Sequence, residues 1–468
     1  MRPVDRYLDP DSTVRYVAKE LYETIADLPI ICPHGHVDPA LFADPDYRFS
    51  SPTDLFITPD HYVLRMLYSQ GIKLEELGIL QKPATYEPPN SRAIWQTFAD
   101  HYYLFRGTPS GIWIQDSLAT IFDVDEKLSA ENGQAIYEYI SKKLQKPEYA
   151  PRQLYKRFNI ELLCTTDAAT DSLVHHQAIQ ASGWDGHILP TFRPDALLDV
   201  AHPDWRQEID KLNNILGMEI GSYGLFIEAL ENRRVFFKTM GCTATDQSVL
   251  SPFTTELSAN EAGEIFQQAL RGEISADNGR RFTGHMLLEM ARMSIEDGLV
   301  MQLHVGTYRN HNQTIFDRFG TDMGGDIPVQ AEFTRNLAPL LQKYGNDPRL
   351  TIIIFTLDET TYARELAPLA GHYPALKLGA PWWFHDSLNG IGRYLDQVME
   401  TAGIYNTVGF NDDTRAFPSI PVRHDVWRRA TCSWLGRLVV QGVVDMEDGS
   451  EMAYEMAYGL AKKGYELE

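Results

Sequence analysis

The sequence predicts an α/β protein built on a (β/α)8 barrel that carries an inserted helical subdomain. Short β-rich runs alternate with longer helical periods, eight times along the 468 residues, which implies a parallel sheet. The runs are apolar almost throughout, as strands covered on both faces must be. No glycine-rich phosphate-binding fingerprint follows the first run, so a doubly wound sheet is the weaker choice.

Taken in order, strands are expected at 29–36 (PIICPHGH), 160–167 (IELLCTTD), 187–194 (HILPTFRP), 298–306 (GLVMQLHVG), 350–358 (LTIIIFTLD), 375–383 (ALKLGAPWW) and 405–413 (YNTVGFNDD). A fainter candidate, GCTATD at 241–246, makes the fourth position. Amphipathic helical patterns lie before, between and after them, among them TVRYVAKELYETIADL, NEAGEIFQQALRGEI, RFTGHMLLEMARMSIED and RHDVWRRATCSWLGRLVV. The first strand-to-strand connection is about 120 residues long, too long for one helix. Its helical middle is assigned to an insertion at 75–155, leaving 1–74 and 156–468 to the barrel.

The balance of 64 acidic against 42 basic residues gives a net charge of -22, which repels phosphate backbones and anionic membrane surfaces. Neither nucleic acid nor membrane is an expected partner; a small-molecule substrate is, which can be anionic if arginines at the site offset the field, and a homo-oligomer is the expected assembly. The opening MRPVDRYLDPDST has no apolar core of a signal peptide, and no run approaches the roughly 18 apolar residues of a membrane span, so the cytoplasm is the expected compartment. Four well-separated cysteines without a CxxC pair indicate neither a zinc knuckle nor a disulfide framework.

Barrel enzymes carry their chemistry at the C-terminal ends of strands, so polar residues that close apolar runs mark the expected site. His34 and His36 close the first run at spacing i, i+2 and so point to one side of a strand, able to offer two imidazoles to one ion. His304 closes the fifth run, and Asp412, Asp413 and Arg415 follow the eighth. A carboxylate such as Asp413 completes a mixed nitrogen and oxygen ligand set. Arg193 and Arg415, just beyond strand ends, suit a substrate carboxylate, which a planar guanidinium grips through two oxygens. His61 and Tyr62, in DHYVLRM, either open a helix or, if that segment folds over the mouth, exchange protons with a sugar hydroxyl. Trp382, in PWWFHD, is core or an apolar wall for a polyol.

These motifs occur in a fixed order: PHGHVDP, DYRF, DHY, CTTDAATDSLVHH, LPTFRPD, HVGTYRNHN, WWFHD, NDDTRAF and RHDVWRR. In that order the chain resembles the uronate isomerases of the amidohydrolase superfamily from about residue 10 to the C-terminus. The resemblance implies a distorted (β/α)8 barrel and one divalent metal, zinc as the expected ion, on His34, His36 and Asp413. It also implies interconversion of D-glucuronate with D-fructuronate or of D-galacturonate with D-tagaturonate. The family's functional tyrosine maps to Tyr62 and its arginines to Arg193 and Arg415. The chain departs from the family's pattern in HGH in place of HCH, in TDQ (Thr245, Asp246, Gln247) in place of SDH, and in TLDE after strand six. The second of these puts a change in substrate contacts at Gln247, and the first only a change in packing at Gly35.

On this reading Asp413, Tyr62, His61 and Arg415 are the candidate catalytic groups, and Arg193, Arg415, His304 and Trp382 bind substrate. The metal would polarise oxygens at the carbons between which a hydrogen moves. A metal-dependent hydrolase on the same barrel is the alternative, as is an isomerase of a related sugar acid. The absence of an obvious lysine for a second metal favours one ion and therefore the isomerase.

Overall fold

The computed structural model describes residues 3–82 and 89–467. Its strands are β1 (Ile30–Cys32), β2 (Ile160–Cys164), β3 (Asp167–Ala168), β4 (His187–Leu189), β5 (Phe192–Arg193), β6 (Ala244–Val249), β7 (Val300–Val305), β8 (Thr307–Tyr308), β9 (Ile327–Pro328), β10 (Ile352–Thr356) and β11 (Leu376–Leu378). Parallel pairing runs β1 to β2 to β4 in one ladder, and β3, β5, β6, β7, β10, β11 in a second. The two ladders are one ring of positions. β2 with β3, and β4 with β5, are each a single position interrupted by two residues, and the pairing is carried across both breaks by the Thr165 amide donating to the Leu189 carbonyl, the Thr191 amide to the Thr165 carbonyl and the Asp167 amide to the Thr191 carbonyl. β8 and β9 form a separate antiparallel ribbon.

The fourth position is stronger than its sequence suggests and lies later, because Thr245, Asp246, Gln247 and Ser248 make a polar strand that hides the apolar signal. The eighth differs in the other direction: only Thr407 forms a parallel bridge, with Leu378. Gly409 at φ 70° and Asp413 at φ 44° turn the chain out of extended geometry there. The ring still closes, through the His36 amide, which donates to the Thr414 carbonyl at 3.1 Å. The fold is therefore a distorted (β/α)8 barrel.

Strand alternation sorts the side chains. Ile31, Leu162, Cys164, Ala244, Val300, Ile353 and Phe355 fill the barrel interior, while Met301, Leu303, Val305 and Ile354 pack outward into the helical layer. Burial on both faces explains the continuous apolar runs. Below the interior, the C-terminal segment supplies Ala461, Tyr465 and Leu467 to the same cluster, and the Tyr465 hydroxyl donates to Gln302 Oε1 at 3.2 Å.

Helix Ser12–Ile25 starts where the Asp11 side chain accepts from the Thr13 and Val14 amides, and it buries Val14, Ala18, Leu21 and Ile25. It lies on helix Ile420–Val440, and Gly436 permits that approach: a Cβ there would stand 3.0 Å from the Val14 carbonyl oxygen. Helices Ser91–Asp100, Pro109–Phe122 and Gly133–Leu144 occupy the long first connection, of which 83–88 lie outside the described residues. They share a buried cluster with Val37, Phe42, Phe56 and Leu67. Among the described residues no helix is long and apolar enough to cross a membrane.

Tyr465 is 1% exposed, so Tyr465→Ala is expected to cost about 3–5 kcal/mol of unfolding free energy, as for other large-to-small core changes. Tyr465→Phe, which loses only the bond to Gln302, should cost about 1 kcal/mol, both read from denaturant unfolding.

Candidate active site

A cavity of 630 Å³ opens at the C-terminal ends of the strands, and His34, His36, His304, Asp413, Arg193 and Tyr62 are among the residues that line it. The structure brings every sequence-predicted site residue to this cavity, with His61, Trp382 and Arg415 in its wall. Loop residues after β1 deliver the two histidines, and the left-handed backbone at Asp413 aims its carboxylate at them. Asp413 Oδ1 lies 3.4 Å from His34 Nε2 and 3.1 Å from His36 Nε2. Asp413 Oδ2 instead accepts the Trp382 indole N–H at 2.6 Å.

Those three side chains fit a divalent cation. Asp413 Oδ1 and His34 Nδ1 are buried without a hydrogen-bond partner of proper geometry, although Oδ1 is so near two imidazoles. Two imidazole nitrogens and one carboxylate oxygen form a donor set suited to zinc and to other first-row divalent ions. Burial raises the Asp413 carboxyl, but contact with His34 and His36 outweighs it and holds the group well below the usual carboxylate range. Burial lowers both imidazoles; at His34 the carboxylates of Asp413 and Asp246 outweigh it and raise the ring, whereas His36 stays low.

Asp246 is the functional residue that the sequence did not reveal. It is fully buried within the polar strand β6, where it accepts from Arg193 Nε at 2.8 Å and meets Nη2 of the same guanidinium at 2.5 Å. Its other oxygen is 2.7 Å from His304 Nδ1. Burial pushes its carboxyl up, yet Arg193 and His304 keep it well below the ordinary value. An ionised Asp246 places the His304 proton on Nδ1 and leaves Nε2, buried and unpartnered, as a lone pair. The ring is held flat against Phe355, with centroids 4.4 Å apart and planes 5° apart. Burial lowers His304 to about 4, so it is neutral near pH 7. His34, Asp246 and His304 also converge, but the Asp246 carboxylate is committed to Arg193 and His304.

A second network fixes Tyr62. Asp60 caps helix His61–Ser69 by accepting the Tyr62 amide, so the segment does open a helix, and that helix folds over the mouth. The Tyr62 hydroxyl donates to Asp386 Oδ1 and accepts from the Phe384 amide, both at 2.9 Å. Arg423, lying over the Trp113 ring, donates to Asp386 Oδ2 at 3.0 Å and to the Asp412 carbonyl at 3.1 Å. Burial and then Asp386 push the Tyr62 phenol well above its usual value. Arg423 and Asp386 both stand in the motifs RHDVWRR and WWFHD, but nothing in the sequence linked either to Tyr62. His61, 6.2 Å from the Trp383 ring, is lowered to about 4 by burial and then by Arg415. Arg415 is the least constrained cation of the site, 3.3 Å from Asp322 with both side chains more than a third exposed.

One expectation changes. Gln247 does not line the cavity; strand alternation turns it outward and buries its amide. The TLDE residues also lie outside the lining: Asp358 accepts the Ala331 amide, and Glu359 pairs with Arg393 and His385. Asp412 packs against His424, with Oδ2 3.3 Å from Nε2. A Cβ at Gly35 would meet Asp412 Oδ1 at 3.7 Å and backbone oxygens, in keeping with a packing change there.

The sequence pattern of the Glucuronate isomerase family matches residues 9–465. A uronate isomerase of Nostoc punctiforme is 56% identical over 464 residues, covering 99% of this chain and 98% of its own. The crystal structure of a glucuronate isomerase from Caulobacter crescentus superposes with a TM-score of 0.98 at 45% identity, covering 100% of this chain and 97% of that one. A uronate isomerase structure from Thermotoga maritima gives 0.92 at 27% identity, with 99% of both chains covered.

Removing the buried Asp246 carboxylate leaves the half-buried Arg193 guanidinium and the buried His304 ring without their acceptor, so Asp246→Ala should lower the unfolding free energy by about 2–3 kcal/mol. Asp322→Ala, which breaks an exposed pair, should cost less than about 1 kcal/mol in the same denaturation experiment.

Proposed function

The chain belongs to the glucuronate isomerase family and is a uronate isomerase, and from that premise we propose that it interconverts D-glucuronate with D-fructuronate, D-galacturonate with D-tagaturonate, or both pairs. The observation that carries the substrate class is the pairing, in one cavity, of a convergent His34, His36 and Asp413 triad with the guanidinium groups of Arg193 and Arg415. A divalent cation on that triad, zinc in this proposal, would supply Lewis acidity toward the carbonyl and hydroxyl oxygens of the substrate.

The remaining chemistry belongs to the chain's own residues. Aldose–ketose isomerisation breaks a C–H bond at C2, forms one at C1 and moves a hydroxyl proton to the former carbonyl oxygen. A base for C2 must be unprotonated near pH 7; Asp413, held ionised, and His61, lowered to about 4, meet that requirement. Tyr62 stays protonated, so it serves a substrate oxygen as a hydrogen-bond donor when it turns from Asp386. The His304 Nε2 lone pair accepts from a sugar hydroxyl and would repel a carboxylate, which assigns the carboxylate to the arginines. Arg193 is immobilised by Asp246, whereas Arg415 gives up only an exposed aspartate when it takes a substrate oxygen. We also propose a cytoplasmic location, supported by the acidic balance of the chain, which leaves no attraction to anionic membranes.

A coupled assay for ketose formation checks this account. Turnover is expected on at least one of the two uronates, lost on prolonged chelation and restored by a divalent cation. His36→Ala should lower kcat/KM by about 10²–10⁴-fold, the several kcal/mol that a bound cation contributes. Metal-replete, folded protein that forms no ketose from either sugar acid would refute it.

A further inference from the structure

Trp382 reads from sequence as a wall, but its most specific contact is with the carboxylate of the candidate cation site. The indole N–H has no acceptor ability and reaches Asp413 Oδ2 at 2.6 Å, the short distance of a bond to an ionised acceptor. Its ring cannot easily swing away. Trp382 is 6% exposed, stands edge-on to His304 at 4.7 Å between centroids, and belongs to the barrel-interior cluster with Phe355.

The consequence for Asp413 is geometric. A carboxylate has two equivalent oxygens and can present either to the histidines, or straddle them. The indole engages Oδ2 and leaves Oδ1 alone facing His34 and His36. Backbone strain acts in the same sense: Asp413 sits at φ 44°, where a non-glycine residue stays only if its surroundings over-determine it. Outer partners that hydrogen-bond a ligating group fix its orientation and are commonly worth 10–100-fold in metal affinity.

We infer that Trp382 is a positioning residue for the cation's carboxylate, holding Asp413 by its Oδ2 so that Oδ1 is ready for the ion. This rests on the cation reading proposed above. It assigns the ring two faces of work: the plane lines the cavity, and the N–H edge sets the ligand.

Competition between the protein and a chelator for Zn²⁺ tests it without reference to turnover. Trp382→Phe keeps an aromatic ring but has no donor, and its Zn²⁺ affinity is expected to fall about 10–100-fold. Metal-free Trp382→Phe should keep the parent's circular dichroism and a single cooperative unfolding transition, so that the loss of affinity is not a loss of fold. Trp383→Phe, whose indole makes no bond to Asp413, should keep parental Zn²⁺ affinity. If Trp382→Phe does not fold, Trp382→Met fills the space with a flexible apolar chain and should show the same loss. Parental affinity in the folded Trp382 variant, with only KM raised, overturns the inference and leaves a wall. A parent protein that itself fails to bind Zn²⁺ would instead overturn the cation reading.

Discussion

The site depends on how the barrel closes. Position eight is barely a strand; after Thr407 the chain turns at Gly409 and again at Asp413, and the Thr414 carbonyl then accepts the His36 amide. That single backbone bond joins the segment carrying the two histidines to the segment carrying the carboxylate. Ring closure and ligand convergence are therefore one constraint, because the same turn that ends the sheet aims Asp413 Oδ1 at His34 and His36. Arg423 reinforces it from helix Ile420–Val440 by holding the Asp412 carbonyl.

Around that junction the charges are arranged so that few groups are free to move. Asp246 commits Arg193 and His304, Asp386 commits Tyr62 and Arg423, and Trp382 commits one oxygen of Asp413. Buried charges are tolerated when they are paired, and removal of one partner exposes the desolvation cost of the other. Arg415 is the exception. Its exposed aspartate partner makes it the group best able to rearrange around a substrate, and preorganisation of the rest limits what must be reordered on binding.

Much of this could be read from the chain before the structure was known, and the exceptions share a physical cause. His34, His36 and Asp413 were legible because strand ends and an i, i+2 spacing are local. The apolar runs of β7 and β10 were equally plain, since both faces of each strand are buried. Asp246 was hidden because β6 is polar along its length and carries no alternating signal. Asp386 and Arg423 reach Tyr62 across more than 320 and 360 positions respectively, a pairing that only the closed barrel creates. Gln247 misled for the opposite reason: its neighbour Asp246 faces the mouth, and a strand turns the next side chain the other way. The sequence places Trp382 in the core or in an apolar wall and does not show its bond to Asp413, because the N–H direction is set by packing on His304 and Phe355.

On the proposed function, His34, His36 and Asp413, from the first and eighth barrel positions, would hold one divalent cation. Elemental analysis of the purified protein and of Asp413→Asn tests it most directly, after dialysis against a buffer of weak chelator. The account predicts about one divalent ion per chain in the parent and a large loss in the variant, with the fold retained by circular dichroism. Equal metal content in the two proteins, or an active parent that holds none, would contradict it.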